Sequence, residues 1–359
     1  MVRSVAQALS LFPDLTREFP STRYQGSKSK LADWIWDILR EIEFDSCLDA
    51  FGGTGAIAYR LKQEGKCVTY NDLLKFNAVY ARALIENRDV TLSEDDVDYL
   101  LTRHRKIKYS SVVESNFSGI YFLDDENRWI DTVIQNIRAM ENPYKQAIAF
   151  FALAQSCTIK RPYNLFHRCN LYIRTAEVER SFGNKATWDR PFHEWFRQFV
   201  REANVAVFDN GRDNKVLNMD AINVIGDYDL IYVDTPYISS KKTGVDYREF
   251  YHFLEGLCEY DTWDSLIDRT SKHRKLRRKR NAWSNASAIE RAFKALFERF
   301  RHSTLAVSYR SDGIPSIESL RAMLSELYAQ VDVHYRKGYK YVLSTNGSSD
   351  EVLFIGRNQ

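Results

Sequence analysis

Asp234, Thr235, Pro236 and Tyr237 follow a run of apolar residues from Leu230 to Val233. The exocyclic amine of a nucleobase is a poor nucleophile, because its lone pair is delocalised into the ring. The Asp234 carboxylate and the Thr235 carbonyl would supply two acceptors for its two hydrogens. Held by both, the nitrogen would be drawn toward tetrahedral geometry, with its lone pair aimed at an electrophilic carbon such as a sulfonium methyl. Pro236 stiffens the backbone, and Tyr237 offers an aromatic face on which a base can stack. A base inside a duplex cannot present its amine to a second ligand, so such a site requires an extruded base. Taken alone, the four residues also read as an ordinary Asp-x-Pro turn.

Other segments of the chain give them company. Asp49 and Phe51 close a short apolar stretch that runs into Gly52, Gly53, Thr54 and Gly55, where the backbone can approach a ligand closely. Asp72, beside Leu73, lies 17 residues past Gly55, near the spacing at which an acidic residue meets a ribose hydroxyl. Asp220, beside Ala221, is placed to accept from an adenine amine. Either aspartate alone also reads as a cap. Tyr24, Gln25, Gly26, Ser27 and Lys28 precede the first strand. In an open α/β sheet, ligands sit outside the carboxyl ends of the strands where strand order reverses, and these segments converge on that edge.

The elements that must position them follow from periodicity. Leu31, Trp34, Ile35, Ile38, Leu39 and Ile42 have helical spacing. A strand at 47–51, a helix at 56–63 ended by Gly65, and a strand at 67–70 make a βαβ unit, which implies parallel strands. Residues 90–205 read as mostly helical and rich in aromatic and basic side chains, an insertion between the second and third strands. The sheet resumes at 216–220 and 229–234, the latter apolar enough for a strand buried on both faces. A polar, basic stretch at about 239–285 precedes a strand at 304–309 and a helix at about 316–329. Two late strands, near 331–343 and 351–356, flank a turn at 344–349 and are expected to pair as an antiparallel hairpin.

The 359 residues exceed the usual single domain, and 44% hydrophobic with 28% charged residues suits a globular core. There is no internal repeat, and no apolar run is long enough to span a membrane. Residues 1–15 lack the order of a secretory signal. Five cysteines with no C-x-x-C pair point to a reduced cytoplasm without structural zinc. The net charge of +3 announces no nucleic-acid partner by itself, but its distribution does. Lys272, Arg274, Lys275, Arg277, Arg278, Lys279 and Arg280 fall within nine residues. A second zone holds Arg161, Tyr163, Asn164, His167, Arg168, Arg174, Lys185 and Trp188. Either zone can follow a phosphate backbone; a solvated loop is the plainer alternative for the first.

Tyr24 to Lys28, Phe51 to Gly55 and Asp234 to Tyr237, in that order, resemble the amino-methyltransferases of DNA, and within them the adenine-N6 group of Dam-like and restriction-linked methylases. Residues 174–188, 251–256, 307–313 and 351–356 carry the likeness over nearly the whole chain. The resemblance implies a Rossmann-like α/β methyltransferase fold, with residues 1–89 and 206–359 forming the catalytic domain and 90–205 the inserted target-recognition domain. It implies direct, metal-free methyl transfer from S-adenosyl-L-methionine to N6 of adenine in double-stranded DNA. Lys28 would face the methionyl carboxylate, with Tyr24, Asp72 and Asp234 at the cofactor or the catalytic edge. A bacterial or phage origin, nucleoid association and a separately acting restriction endonuclease are implied likewise. Methylation of RNA adenine or cytosine N4, and an inactive cofactor-binding DNA sensor, are the alternatives. Thr235 stands where the family usually has Pro, which changes backbone stiffness but keeps the carbonyl.

Overall fold

The computed structural model describes residues 17–176, 185–239, 244–279, 281–338 and 349–358. The N-terminal segment read above as lacking a secretory signal, and Arg280, lie outside them. Among the described residues no helix is long and apolar enough to cross a membrane.

Seven strands form one sheet: β1 (Ser46–Asp49), β2 (Cys67–Asn71), β3 (Lys215–Leu217), β4 (Leu230–Val233), β5 (Thr304–Arg310), β6 (Gln330–Arg336) and β7 (Glu351–Arg357). Their order is β3-β2-β1-β4-β5-β7-β6. The first five are parallel, and β7 runs antiparallel to both β5 and β6. From β1 the chain first builds outward through β2 and β3, then returns to add β4 on the other side. Strand order therefore reverses between β1 and β4, and a crevice opens at their carboxyl ends.

Successive side chains point to opposite faces, so each central strand feeds two cores. Cys47, Leu230, Tyr232, Ala306 and Leu353 pack with the helices Ala56–Gln63, Lys75–Ala81, Pro143–Ile159 and Phe192–Ala206. Leu48, Ile231, Val233, Leu305 and Phe354 pack with Ile289–Arg299 and Ile317–Ser325 on the other face. The result is three layers. Between β2 and β3 the chain is helical, and Pro143–Ile159 is buried on nearly every side. These helices share one hydrophobic cluster with the sheet and differ from it in what they expose.

Boundaries move where side chains compete for backbone. The expected 216–220 strand stops at Leu217, because the Asn71 amide donates to the Met219 carbonyl and the Asn218 amide to the Asp72 carbonyl. The first helix spans Ala32–Leu39, entered through a tight turn at Ser29–Leu31. β6 and β7 pair antiparallel as expected; residues 339–348, which hold most of the expected turn, lie outside the described residues.

Candidate active site

The apolar strand β4 ends at Val233 and delivers Asp234 into the crevice beside Asp49 at the end of β1. One cavity is lined by Tyr24, Gly26, Ser27, Lys28, Asp49, Phe51, Gly52, Gly53, Thr54 and Asp234, so most of the residues singled out for chemistry meet there. Asp234 Oδ1 lies 3.2 Å from Lys28 Nζ and accepts from the Tyr237 hydroxyl at 2.8 Å. Lys28 also reaches Glu351 Oε1 at 2.7 Å and the Tyr237 hydroxyl. Burial and the neighbouring Glu351 push the Asp234 carboxyl up to about 6, while Lys28 and Tyr237 pull it down. Lys28 is itself buried, which works against its charge, yet Asp234 and Glu351 outweigh this and raise its pKa. Thr235 is 2% exposed, and its hydroxyl has no hydrogen-bond partner.

Asp49 is 1% exposed, and neither of its carboxylate oxygens has a hydrogen-bond partner of normal geometry. Burial raises its pKa well above the carboxylate range and Asp234 and Asp72 add to this, while the Ala58 and Phe51 N–H groups pull weakly the other way. A buried, unpartnered carboxyl lining a cavity is costly unless a cation or donor arrives. Asp72 braces the glycine loop, accepting from the Gly53 N–H at 2.9 Å and the Leu74 N–H at 2.7 Å. Leu73 beside it is exposed. Below the loop, the Tyr70 hydroxyl donates to the Gly53 carbonyl at 2.6 Å, and a Cβ on Gly52 would lie 2.0 Å from the Tyr70 ring. Gly55 occupies left-handed backbone, with φ of 83°. Tyr24 stacks against Tyr251 with ring centroids 4.6 Å apart and against Tyr247 at 5.4 Å, while the Gln25 N–H donates to the Tyr251 hydroxyl.

Asp220 lies apart from this cavity. Its carboxylate caps the turn Ala221–Asn223 through the Ile222 N–H and accepts from the Trp283 indole at 3.1 Å. Trp283 in turn meets Phe51 edge-on, with centroids 4.7 Å apart.

The two basic zones are separate in the chain and adjacent in space. The Tyr121 hydroxyl lies 2.5 Å from the Phe166 carbonyl and 2.8 Å from the His273 carbonyl, and Cys169 Sγ is 3.1 Å from the Lys272 carbonyl. Tyr163 is 71% exposed, and it and Asn164 hold left-handed backbone, with φ of 65° and 56°. Arg168, Lys185, Lys272, Arg277, Arg278 and Lys279 are exposed; His167, Trp188, Arg274 and Lys275 are half-buried. Lys275 pairs with Glu249 at 2.7 Å.

Arg161 and Arg174, expected to reach DNA, are buried and engaged within the chain. Arg161 is buried, donates to the Leu165, Tyr121 and Arg168 carbonyls and to Asn170, and lies over the Tyr121 ring. Arg174 is buried in a bidentate pair with Glu126, 2.8 and 2.7 Å, on a carboxylate that also holds Lys160. Both guanidinium groups hold the fold together in this conformation.

Sequence reasoning gave no role to Glu351, Ser308, Tyr247, Tyr251, Tyr70 and Trp283, although Tyr251, Ser308 and Glu351 fall in segments that carried the resemblance. Glu351 did carry a signal: a carboxylate heading an otherwise apolar strand.

Comparison with known proteins places this geometry. Residues 24–306 match the D12 class N6 adenine-specific DNA methyltransferase family. The chain is 27% identical over 352 residues to the type II methyltransferase M2.HphI of Haemophilus parahaemolyticus, covering 95% of this chain and 99% of that protein. It is 25% identical over 334 residues to M.NlaIII of Neisseria lactamica, covering 88% and 91% of the two chains. With the LlaI modification methylase of Lactococcus lactis subsp. lactis identity is 23% over 346 residues, 91% of this chain but 52% of that one. The family match runs from Tyr24 through the glycine loop and Asp234 into β5, over more than three quarters of the chain, and the protein therefore belongs to the D12 class of adenine-specific DNA methyltransferases.

Proposed function

We propose that the protein transfers a methyl group from S-adenosyl-L-methionine to the N6 amine of an adenine flipped out of a specific duplex sequence. The observation that carries this reading is the meeting of Asp234 with the buried Asp49 carboxyl and the Phe51–Thr54 loop in one crevice. An arriving sulfonium donor, with its ammonium group, suits a buried carboxyl that only the Ala58 and Phe51 N–H groups approach. Asp49, Tyr24 and the Phe51–Gly55 loop would hold it, Asp72 would fix the loop, and Leu73, Asp220 and Ala221 would border its adenosine end. Bound there, the cofactor supplies an electrophilic methyl. The chain would supply the rest: Asp234 and the Thr235 carbonyl would accept hydrogen bonds from the amine and so return its lone pair from the ring, one N6 proton would leave as the nitrogen–methyl bond replaces the sulfur–methyl bond, and Tyr237 would bound the base.

A cleft of about 820 Å³, lined by Asp246, Arg278, Lys279, Asn281 and Asn285, adjoins the catalytic segment, which the Val245 N–H joins through the Tyr237 carbonyl. It suits the target strand. Tyr163, Asn164, His167, Arg168 and Lys185 would give residues 90–205 the role of reading the site, a reading supported by their exposed or half-buried side chains and by the need for side chains at groove edges to read bases. The names of the relatives support a restriction-modification setting; a cognate endonuclease acting separately is our extension of that reading. Aspartate at the first position of the tetrapeptide supports adenine over cytosine N4. The test is transfer of labelled methyl to duplex DNA, single-stranded DNA and RNA, followed by nucleoside analysis. N6-methyladenine from duplex is expected; label on cytosine, or on RNA alone, would replace this reading.

A further inference from the structure

Glu351 heads β7 and is fully buried. Because β7 runs antiparallel to β5, its first residue arrives at the edge where the parallel strands end, beside Asp234. A parallel strand in that place would have brought its last residue there. The following residues, Val352 to Ile355, are buried and apolar, so a carboxylate here is costly without close partners. Its partners belong to the site. Oε1 lies 2.7 Å from Lys28 Nζ and 3.1 Å from the Tyr237 hydroxyl, and it accepts from Ser308 Oγ. Lys28 and Tyr237 are the same two groups that reach Asp234 Oδ1.

We propose that Glu351 is a positioning residue for methyl transfer, holding the Lys28 ammonium and Tyr237 hydroxyl against Asp234 Oδ1, so that the Lys28–Asp234–Glu351 cluster offers one net negative charge to a cationic donor. This rests on the methyl-transfer reading above. Ser308, reaching in from β5, fixes Oε1 and so belongs to the same arrangement.

The test compares wild type with Glu351→Gln, which keeps the shape and one carbonyl oxygen but removes the charge. The titratable and charged groups facing Asp234 are Lys28, Asp49, Tyr232, Tyr237, Tyr247 and Glu351. Losing Glu351 removes a like charge and releases Lys28 wholly to Asp234. The acid limb of the single-turnover pH profile should then move down by roughly one pH unit. The rate on the alkaline plateau should fall on the order of 10-fold to 10²-fold as the donors lose their register, and calorimetric cofactor affinity should weaken. A purely structural glutamate would lower the melting temperature and leave the pH profile in place; superimposable profiles overturn the proposal. If Glu351→Gln does not fold, Ser308→Ala decides: a slower transfer by a cooperatively melting protein supports the positioning role, and an unchanged rate overturns it. Wild-type protein that methylates no adenine would instead overturn the underlying reading, and this proposal with it.

Discussion

In the proposed mechanism Asp234 must be buried to meet an extruded base and ionised to accept strongly from its amine, and these demands oppose each other. Burial and Glu351 raise its carboxyl to about 6, with Lys28 and Tyr237 pulling against them. A protonated Asp234 loses the acceptor, so single-turnover transfer should fall as pH drops through about 6; a rate flat from pH 8 to 5 would contradict this. Thr235→Val removes a buried hydroxyl that has no partner, a group whose burial costs about 1–3 kcal/mol. The variant should melt no lower than wild type and keep its transfer rate within a few-fold; a large loss of rate would assign the hydroxyl to the substrate. At this scale, legibility in the sequence depended on contiguity. Asp234 to Tyr237 stand side by side because one acceptor is a backbone carbonyl, and the glycine loop is contiguous for the same kind of reason. Glu351 lies 323 residues from Lys28, a distance no local pattern crosses. Arg161 and Arg174 announced charge, but their burial depended on Tyr121 and Glu126, 40 and 48 residues away.

The strands and first helices were readable because each alternates or repeats on its own: Ala56–Gln63 has the expected bounds, and β4 is buried throughout as its apolar run implied. β3 was not, because the Asn71 and Asn218 side chains draw its last residues out of the ladder. The glycine turn offers a sharp test of an element. A methyl on Gly52 would meet the Tyr70 ring at 2.0 Å, and Tyr70 is pinned by its bond to the Gly53 carbonyl. Gly52→Ala should therefore cost about 1–3 kcal/mol in thermal or denaturant melts and weaken cofactor binding by calorimetry; normal values for both would show that the loop yields. The exposed basic segment is tested by salt. Neutralising Lys272, Arg277 and Lys279, while sparing Lys275 and Arg278, which pair with Glu249, should weaken binding to all DNA alike. The slope of log affinity against log salt should become shallower by about 0.9 for each phosphate no longer neutralised; an unchanged slope would return the run to solvent.

Across the whole molecule, strand order reversing between β1 and β4 gathers segments from residues 24 to 351 at one edge. Antiparallel β7 belongs to that design, since only its reversed direction brings Glu351 to the site. The helices between β2 and β3 share the sheet's core and turn Tyr163 and Arg168 outward beside the other basic zone at 272–279, an adjacency that two separate stretches of sequence could not reveal. The central claim is that this assembly activates an adenine amine through Asp234 while holding the methyl donor mainly elsewhere. Single-turnover methylation of a duplex containing the target, read as nucleosides and run beside calorimetric cofactor titration, tests it for wild type and Asp234→Ala together. The account predicts N6-methyladenine from wild type and a rate lower by about 10²–10³ for Asp234→Ala, with cofactor affinity falling far less; near-normal turnover by Asp234→Ala would contradict it.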